Sequence, residues 1–365
     1  MRPVFISSLL TMLSAVILTG CNATYLIPIA TPSVPVSYSP GTPYLAFGDS
    51  ITHGTTLSNF NLAYPALIAQ DRQFDLSNLA IPGAQACDVP TAEIFAKGVS
   101  YPPSNTPLLY TLLIGTNDED TRGSDYYYIF GLCHQAAIAW LALPSDLKVL
   151  ASSSGVVTNG TGVIETTNNW NSLMTSTLNS SISIPITLAS EGPIYIWPRI
   201  ADNDFGTFSY AIDGTVIGVF NTTPGDAIYT SNGIRNSLGF IRIPGVSAGT
   251  HTVSFTQTSS VGTMRIVAIG SLPTTNEMLP LVLVGDPPLQ LVMPDAACDT
   301  TPSQCEDYLL QIQADVAIFA GDRLNVQFVD NHPYMHATDA EMNDYLHPNP
   351  LGHSELRTAF ETAIP

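Results

Sequence analysis

Leu108-Leu109-Tyr110-Thr111-Leu112-Leu113-Ile114 runs straight into Gly115-Thr116-Asn117-Asp118. A strand wetted on one face alternates apolar with polar residues. A run this nearly continuously apolar suits a strand covered on both faces, as in a parallel sheet. Working outward, 44–47 is a short apolar run ending at Gly48, and 74–81 reads as a further strand ending at Pro82-Gly83. Between and after these segments, 62–70 and 127–143 carry helical patterns. Strand alternating with helix predicts a parallel α/β sheet.

The texture changes near Ser152. From there to about Thr275 helix signals almost vanish, and short β-rich runs alternate with Gly, Asn and Pro turns (182–188, 194–197, 208–212, 252–256, 264–269). Asp213-Gly214 between two apolar stretches is a hairpin signal. This is the pattern of an antiparallel β-sandwich. The α/β pattern then returns. A buried-type strand at 281–284 ends in Gly285-Asp286-Pro287-Pro288, and Leu309, Ile312, Val316 and Phe319 share one helical face. A strand at 324–329 and a helix at 352–364 follow. The expected architecture is an α/β domain over 43–152 and 277–365, interrupted by a sandwich over 153–276.

The 365 residues carry 11 Lys and Arg against 30 Asp and Glu, a formal charge of -19. Such a chain repels nucleic acid phosphates and anionic membrane surfaces, and suits neutral substrates. Arg2 followed by an apolar run over 5–18, too short for a comfortable membrane span, reads as a targeting segment over 1–21. It ends in Leu18-Thr19-Gly20-Cys21, which resembles the lipobox of bacterial lipoproteins. The resemblance implies acylation of Cys21 and a lipid-anchored place in the cell envelope. Asn22 after the cysteine leans towards the outer membrane of a Gram-negative cell. Residues 22–42, polar and Pro-rich, read as a tether. Four cysteines remain: Cys87, Cys133, Cys298 and Cys305. In an oxidising compartment an even count suggests two disulfides, with three possible pairings. Cys298 with Cys305 is the local choice and leaves Cys87 with Cys133; four free buried thiols are the alternative.

Four segments carry chemistry. In Phe47-Gly48-Asp49-Ser50-Ile51 the serine lies just past a strand's carboxyl end, where open α/β sheets place ligands. In Asp344-Tyr345-Leu346-His347-Pro348 the spacing lets Asp344 reach Nδ1 of His347, leaving Nε2 to take a serine proton. Pro348 argues that this turn lies outside a regular helix. Asn117, in Gly115-Thr116-Asn117-Asp118, can donate its amide N–H to a developing oxyanion. Gly83, in Asn78-Leu79-Ala80-Ile81-Pro82-Gly83, can offer its backbone N–H alongside that of Ser50.

The order Gly-Asp-Ser-Ile, Gly, Gly-Thr-Asn-Asp, Asp-x-x-His-Pro resembles the sequence blocks of the SGNH (GDSL-type) hydrolase superfamily. The resemblance implies a flavodoxin-like three-layer α/β/α domain. It also implies Ser50 as nucleophile, His347 as base with Asp344 its partner, and Ser50, Gly83 and Asn117 as the oxyanion hole. It covers 43–152 and 280–365 and leaves out the sandwich.

The implied reaction is ester hydrolysis through an acyl-serine, with no metal or organic cofactor. A sandwich inserted in such a domain resembles carbohydrate esterases, so an acetylated or short-acylated glycan is the expected substrate. A lipid esterase, an O-acyltransferase using the same groups and a non-catalytic glycan-binding lipoprotein are the alternatives. His53 is expected either to border the pocket or to lie at the surface. His332, His336 and His353 read as scattered surface groups with no carboxylate cluster to complete a metal site, and no Cys/His spacing supports zinc. Trp170 and Trp197 in the sandwich either pack its core or stack on sugar rings.

Overall fold

The structure, a computed structural model, describes residues 38–98, 102–122, 127–167, 170–202, 204, 206–223, 236–272, 277–288, 302–336 and 338–365. The expected targeting segment, Cys21 and most of the expected tether lie outside these residues. The chain opens with β1 (Pro43–Gly48), a short helix α1 (Ser50–His53), α2 (Tyr64–Arg72), β2 (Asp75–Asn78), β3 (Leu109–Leu113), α3 (Thr116–Arg122) and α4 (Tyr127–Ala142). A π-helical turn over Val89–Phe95, with no counterpart in the sequence reading, lies between β2 and β3.

Twelve strands follow: β4 (Lys148–Leu150), β5 (Val157–Asn159), β6 (Val163–Thr167), β7 (Trp170–Thr175), β8 (Ser181–Leu188) and β9 (Gly192–Ala201), then β10 (Thr207–Ile212), β11 (Thr215–Asn221), β12 (Asn236–Leu238), β13 (Ile241–Val246), β14 (Gly249–Gln257) and β15 (Met264–Ser271). The chain closes with β16 (Leu281–Gly285), α5 (Pro302–Gly321), β17 (Val326–Val329) and α6 (Pro350–Thr362).

β17-β16-β3-β1-β2 form one parallel sheet, with Tyr44 opposite Leu109 and Leu109 opposite Leu281. Its apolar runs are explained by which face each side chain takes. Tyr44, Ala46, Leu109, Leu113, Leu281 and Leu283 pack with Tyr64 and Ile68 of α2 and Leu356 and Phe360 of α6. Phe47, Tyr110, Leu112, Val282 and Val284 point the other way, towards α4 and α5. Period-two alternation between two buried faces leaves β1, β3 and β16 almost without polar positions; the exception, Thr111, pairs its hydroxyl with that of Tyr44 at 3.0 Å. The strand order reverses between β1 and β3, which makes the crevice beyond their carboxyl ends the expected ligand site.

The strands of the insert build two antiparallel sheets, β11-β10-β14-β8-β5 and β12-β9-β15-β7-β6, with β13 on β9 and β4 on β15. Asp213 and Gly214 both have positive φ, 49° and 81°, as a two-residue hairpin turn requires. The sandwich and the α/β domain share one hydrophobic cluster. Trp197 of β9 is buried against α4, where its Nε1 donates to the Ala136 carbonyl at 3.0 Å and its ring meets Trp140 edge-on. Tyr195 donates its hydroxyl to Asp322 at 2.6 Å, and Arg242 Nε donates to the same carboxylate at 2.7 Å. Trp170 is buried too, against Phe95. Both sandwich tryptophans therefore serve packing, and neither offers a face to a sugar.

Cys87 and Cys133 form a disulfide with Cα atoms 4.9 Å apart, tying the loop after β2 to α4. Cys298 and the side chain of Cys305 lie outside the described residues. No helix among the described residues is long and apolar enough to cross a membrane.

Candidate active site

Ser50 begins α1 directly after β1. Asp49 caps that helix, its Oδ1 accepting from Ile51 N at 2.9 Å. The sharp strand-to-helix turn needs Gly48: its φ is +147°, and a Cβ there would overlap the Leu113 carbonyl oxygen. Gly48 N–H donates to Glu93 Oε2 at 2.9 Å, so the π-helical turn braces the loop from behind.

Asp344 and His347 lie in an irregular turn, as Pro348 predicts. Asn343 N donates to His347 O at 2.8 Å, and Asn349 then caps α6 by accepting from Leu351 N and Gly352 N. Across 297 positions, His347 Nε2 lies 2.9 Å from Ser50 Oγ. On its other side His347 Nδ1 lies 2.9 Å from Asp344 Oδ2, while Asp344 Oδ1 accepts the backbone N–H of His347 at 2.6 Å and of Leu346 at 2.9 Å. Partial burial alone would raise the Asp344 pKa; these bonds outweigh it and hold the carboxyl below its ordinary range. A hydroxyl on one ring nitrogen and a carboxylate on the other is an arrangement that can move the hydroxyl proton onto the imidazole. Asn117, at the start of α3, donates its amide N–H to the Ala84 carbonyl at 2.9 Å and sits 3.5 Å from Asp49 Oδ2. Gly83 is exposed at the turn after β2, with φ +80°, one residue before that carbonyl. Ser50, Gly83 and Asn117 thus come from the carboxyl ends of β1, β2 and β3.

Beneath the site lies a set of buried carboxyls that the sequence reading does not single out. Asp49 is pushed up to about 6, chiefly by burial, against the pull of Ile51 N–H, the Thr116 hydroxyl and the His347 charge. Burial likewise raises Glu93 and Asp118 well above the carboxylate range, and each feels Asp88 and Asp49 as like charges. Asp49 and Asp118 stood inside the motifs; Glu93 showed only as a lone acid in an apolar run.

The other histidines divide. His53 is half-buried, its ring edge-on to Phe60 and Nδ1 3.3 Å from the Thr55 hydroxyl. His353 is buried rather than superficial, stacked over Tyr64 and accepting Tyr64 N–H at Nδ1; burial drives its pKa down to about 4. His332 meets Asp286 and Asp330, which corrects the expectation that no carboxylates gather there. The carboxylates follow two different strands, so sequence spacing did not show them.

No family model and no curated protein matches the chain. Among solved structures it is similar to a two-domain esterase active on acetylated mannans, co-crystallised with mannopentaose. That pair has 13% identity and a TM-score of 0.36, over 65% of this chain and 92% of that one. It is also similar to the C-terminal CBM6 of a marine laminarinase from Zobellia galactanivorans, at 22% identity and TM-score 0.27 over 34% of this chain and 98% of that one. A family 35 carbohydrate-binding module from an environmental isolate matches at 16% identity and TM-score 0.29, over 35% of this chain and 93% of that one.

Proposed function

We propose that the chain is a serine esterase of the SGNH hydrolase type that removes acetyl or other short acyl groups from a glycan. The observation that carries this reading is the 2.9 Å approach of His347 Nε2 to Ser50 Oγ, with Asp344 2.9 Å from Nδ1. Counting only the parallel strands, their order is 2-1-3-4-5, which supports the flavodoxin-like class. In the proposed cycle His347 takes the Ser50 proton as Oγ attacks the ester carbonyl. The oxyanion is met by the N–H groups of Ser50 and Gly83 and by the Asn117 amide. The alcohol leaves with the proton from His347, and water, deprotonated by the same ring, releases the acid from the acyl-serine. The chain is further proposed to be exported and anchored through a lipid on Cys21.

Labelling with a fluorophosphonate probe, then mapping the modified peptide, tests the assignment. Modification at Ser50, lost in Ser50→Ala, is expected; a different labelled serine, or none, refutes it. Asn117→Ala should lower kcat on p-nitrophenyl acetate by on the order of a hundredfold or more. Across p-nitrophenyl esters of increasing chain length, activity should peak at the short end. A peak at long chains would overturn the glycan reading and favour a lipid ester.

A further inference from the structure

One group of side chains remains outside that reading. Asp286 directly follows β16, and Asp330 and His332 directly follow β17, so all three sit on the carboxyl edge of the parallel sheet. β16 is the neighbour of β3, which carries Asn117. One ligand atom from each of the three residues lies within 4.8 Å of the other two. Asn331, itself buried, fixes the arrangement: its N–H donates to Asp286 Oδ1 at 2.7 Å, and its Nδ2 donates to the Asp286 carbonyl at 2.6 Å. That leaves Asp286 Oδ2 in a side chain only 1% exposed, accepting no hydrogen bond among the described residues. Such an oxygen is costly unless something positive meets it.

His332 Nε2 is 3.0 Å from that oxygen, but the pair does not satisfy hydrogen-bond geometry. A nitrogen and an oxygen at that distance, not aimed at each other, have the spacing of two ligands on one ion. Asp330 Oδ1 lies 3.9 Å from the other ring nitrogen and brings a second negative charge to the solvent side.

We propose that Asp286, Asp330 and His332 form a binding site for a divalent transition-metal ion such as Zn²⁺. One imidazole and two carboxylates suit zinc better than magnesium or calcium, which favour all-oxygen shells. Three protein ligands leave positions for water. The ion joins the ends of β16 and β17 and steadies the segment leading to the Asp344–His347 turn. The proposal does not depend on the esterase reading.

The test uses the full chain, stripped with a chelator and titrated with Zn²⁺ by calorimetry, then with Co²⁺ by visible absorption. One saturable equivalent is expected. Asp330→Asn and His332→Gln, both at accessible side chains, should each weaken Zn²⁺ binding by on the order of a hundredfold, comparable with or beyond the loss from altering a ligand's supporting partner. Asp286→Asn should abolish it, and His332→Gln should change the Co²⁺ d–d bands. Ser50→Ala should bind like the wild type, so loss of esterase activity and loss of the metal site read out separately. Absence of a stoichiometric site, or uptake unchanged in Asp330→Asn and His332→Gln, would overturn the proposal. The second outcome would mean general cation uptake by an acidic surface.

Discussion

Replacing Asp344 by Asn turns the His347 ring into the wrong tautomer rather than merely loosening it. Two backbone N–H groups, from Leu346 and His347, already point at Oδ1 at 2.9 and 2.6 Å. The Asn amide oxygen must take that place, which sets the NH₂ group opposite Nδ1. An NH₂ only donates, so Nδ1 must accept and the ring proton moves to Nε2. Nε2 is the atom facing Ser50 Oγ, and it then has no lone pair for the serine proton. The same change in serine proteases costs about 10,000-fold in kcat, or about 5 kcal/mol of barrier. The carboxylate is partly exposed, so the loss of its charge is screened by water. Bond directionality is not screened, and a loss of roughly 1,000- to 10,000-fold in kcat is expected, with KM little changed. Asp344→Ala lets water accept the Nδ1 proton and does not force the wrong tautomer, so it should be no slower than the Asn variant. Initial rates on p-nitrophenyl acetate, checked by fluorophosphonate titration, measure both. An Asn variant within tenfold of wild type, or an Ala variant slower than the Asn one, would refute the reasoning.

Glu93→Gln should help the chain at alkaline pH. The folded-state pKa of Glu93 lies above its unfolded value, so its contribution is fully present below the unfolded pKa and is lost as pH rises through the folded one. Gln keeps an acceptor for Gly48 N–H; its melting temperature should exceed the wild type's at pH 8 and match it near pH 4, and equal curves at both would count against a buried, proton-holding Glu93. Cys133→Ser opens a loop spanning 46 positions, which chain entropy values at about 4 kcal/mol; chemical denaturation with and without reductant measures it, and coincident curves would argue that the bridge contributes nothing. Trp197→Ala should cost about 3–5 kcal/mol by cavity formation and lower one calorimetric transition for the whole chain. Two separated transitions, only one of them shifted, would show that the two halves do not depend on a common core.

The parallel sheet was readable because β1, β3 and β16 are apolar runs, each stopped by a glycine at the turn into the site. The hairpin at Asp213-Gly214 was readable because its turn needs two positive φ values. Short motifs single out Ser50, Asp344 and His347, and local spacing lets Asp344 reach His347, but the approach of Ser50 to His347 across 297 positions is a product of the fold. Glu93, Asp286 and Asp330 were not, since each acquires its partners from another strand or turn. The two tryptophans of the insert stayed ambiguous until the surfaces around them were known; an aromatic ring reads the same whether it will meet sugar or helix α4. The π-helical turn at Val89–Phe95 had no periodic signal to give.

The seam between the two architectures sets a limit on evolution and on engineering. An exchangeable cassette closes its own interior before it is fused to anything. Here Trp197 takes its acceptor from α4, and Asp322 completes the polar shell of Tyr195 and Arg242. Recombination that lifted out β4–β15 would strip the back of α4 and α5 bare and leave a sandwich with an open flank. Descendants of this chain can change the loops of the insert freely, but can exchange the insert itself only by rebuilding the helices behind it.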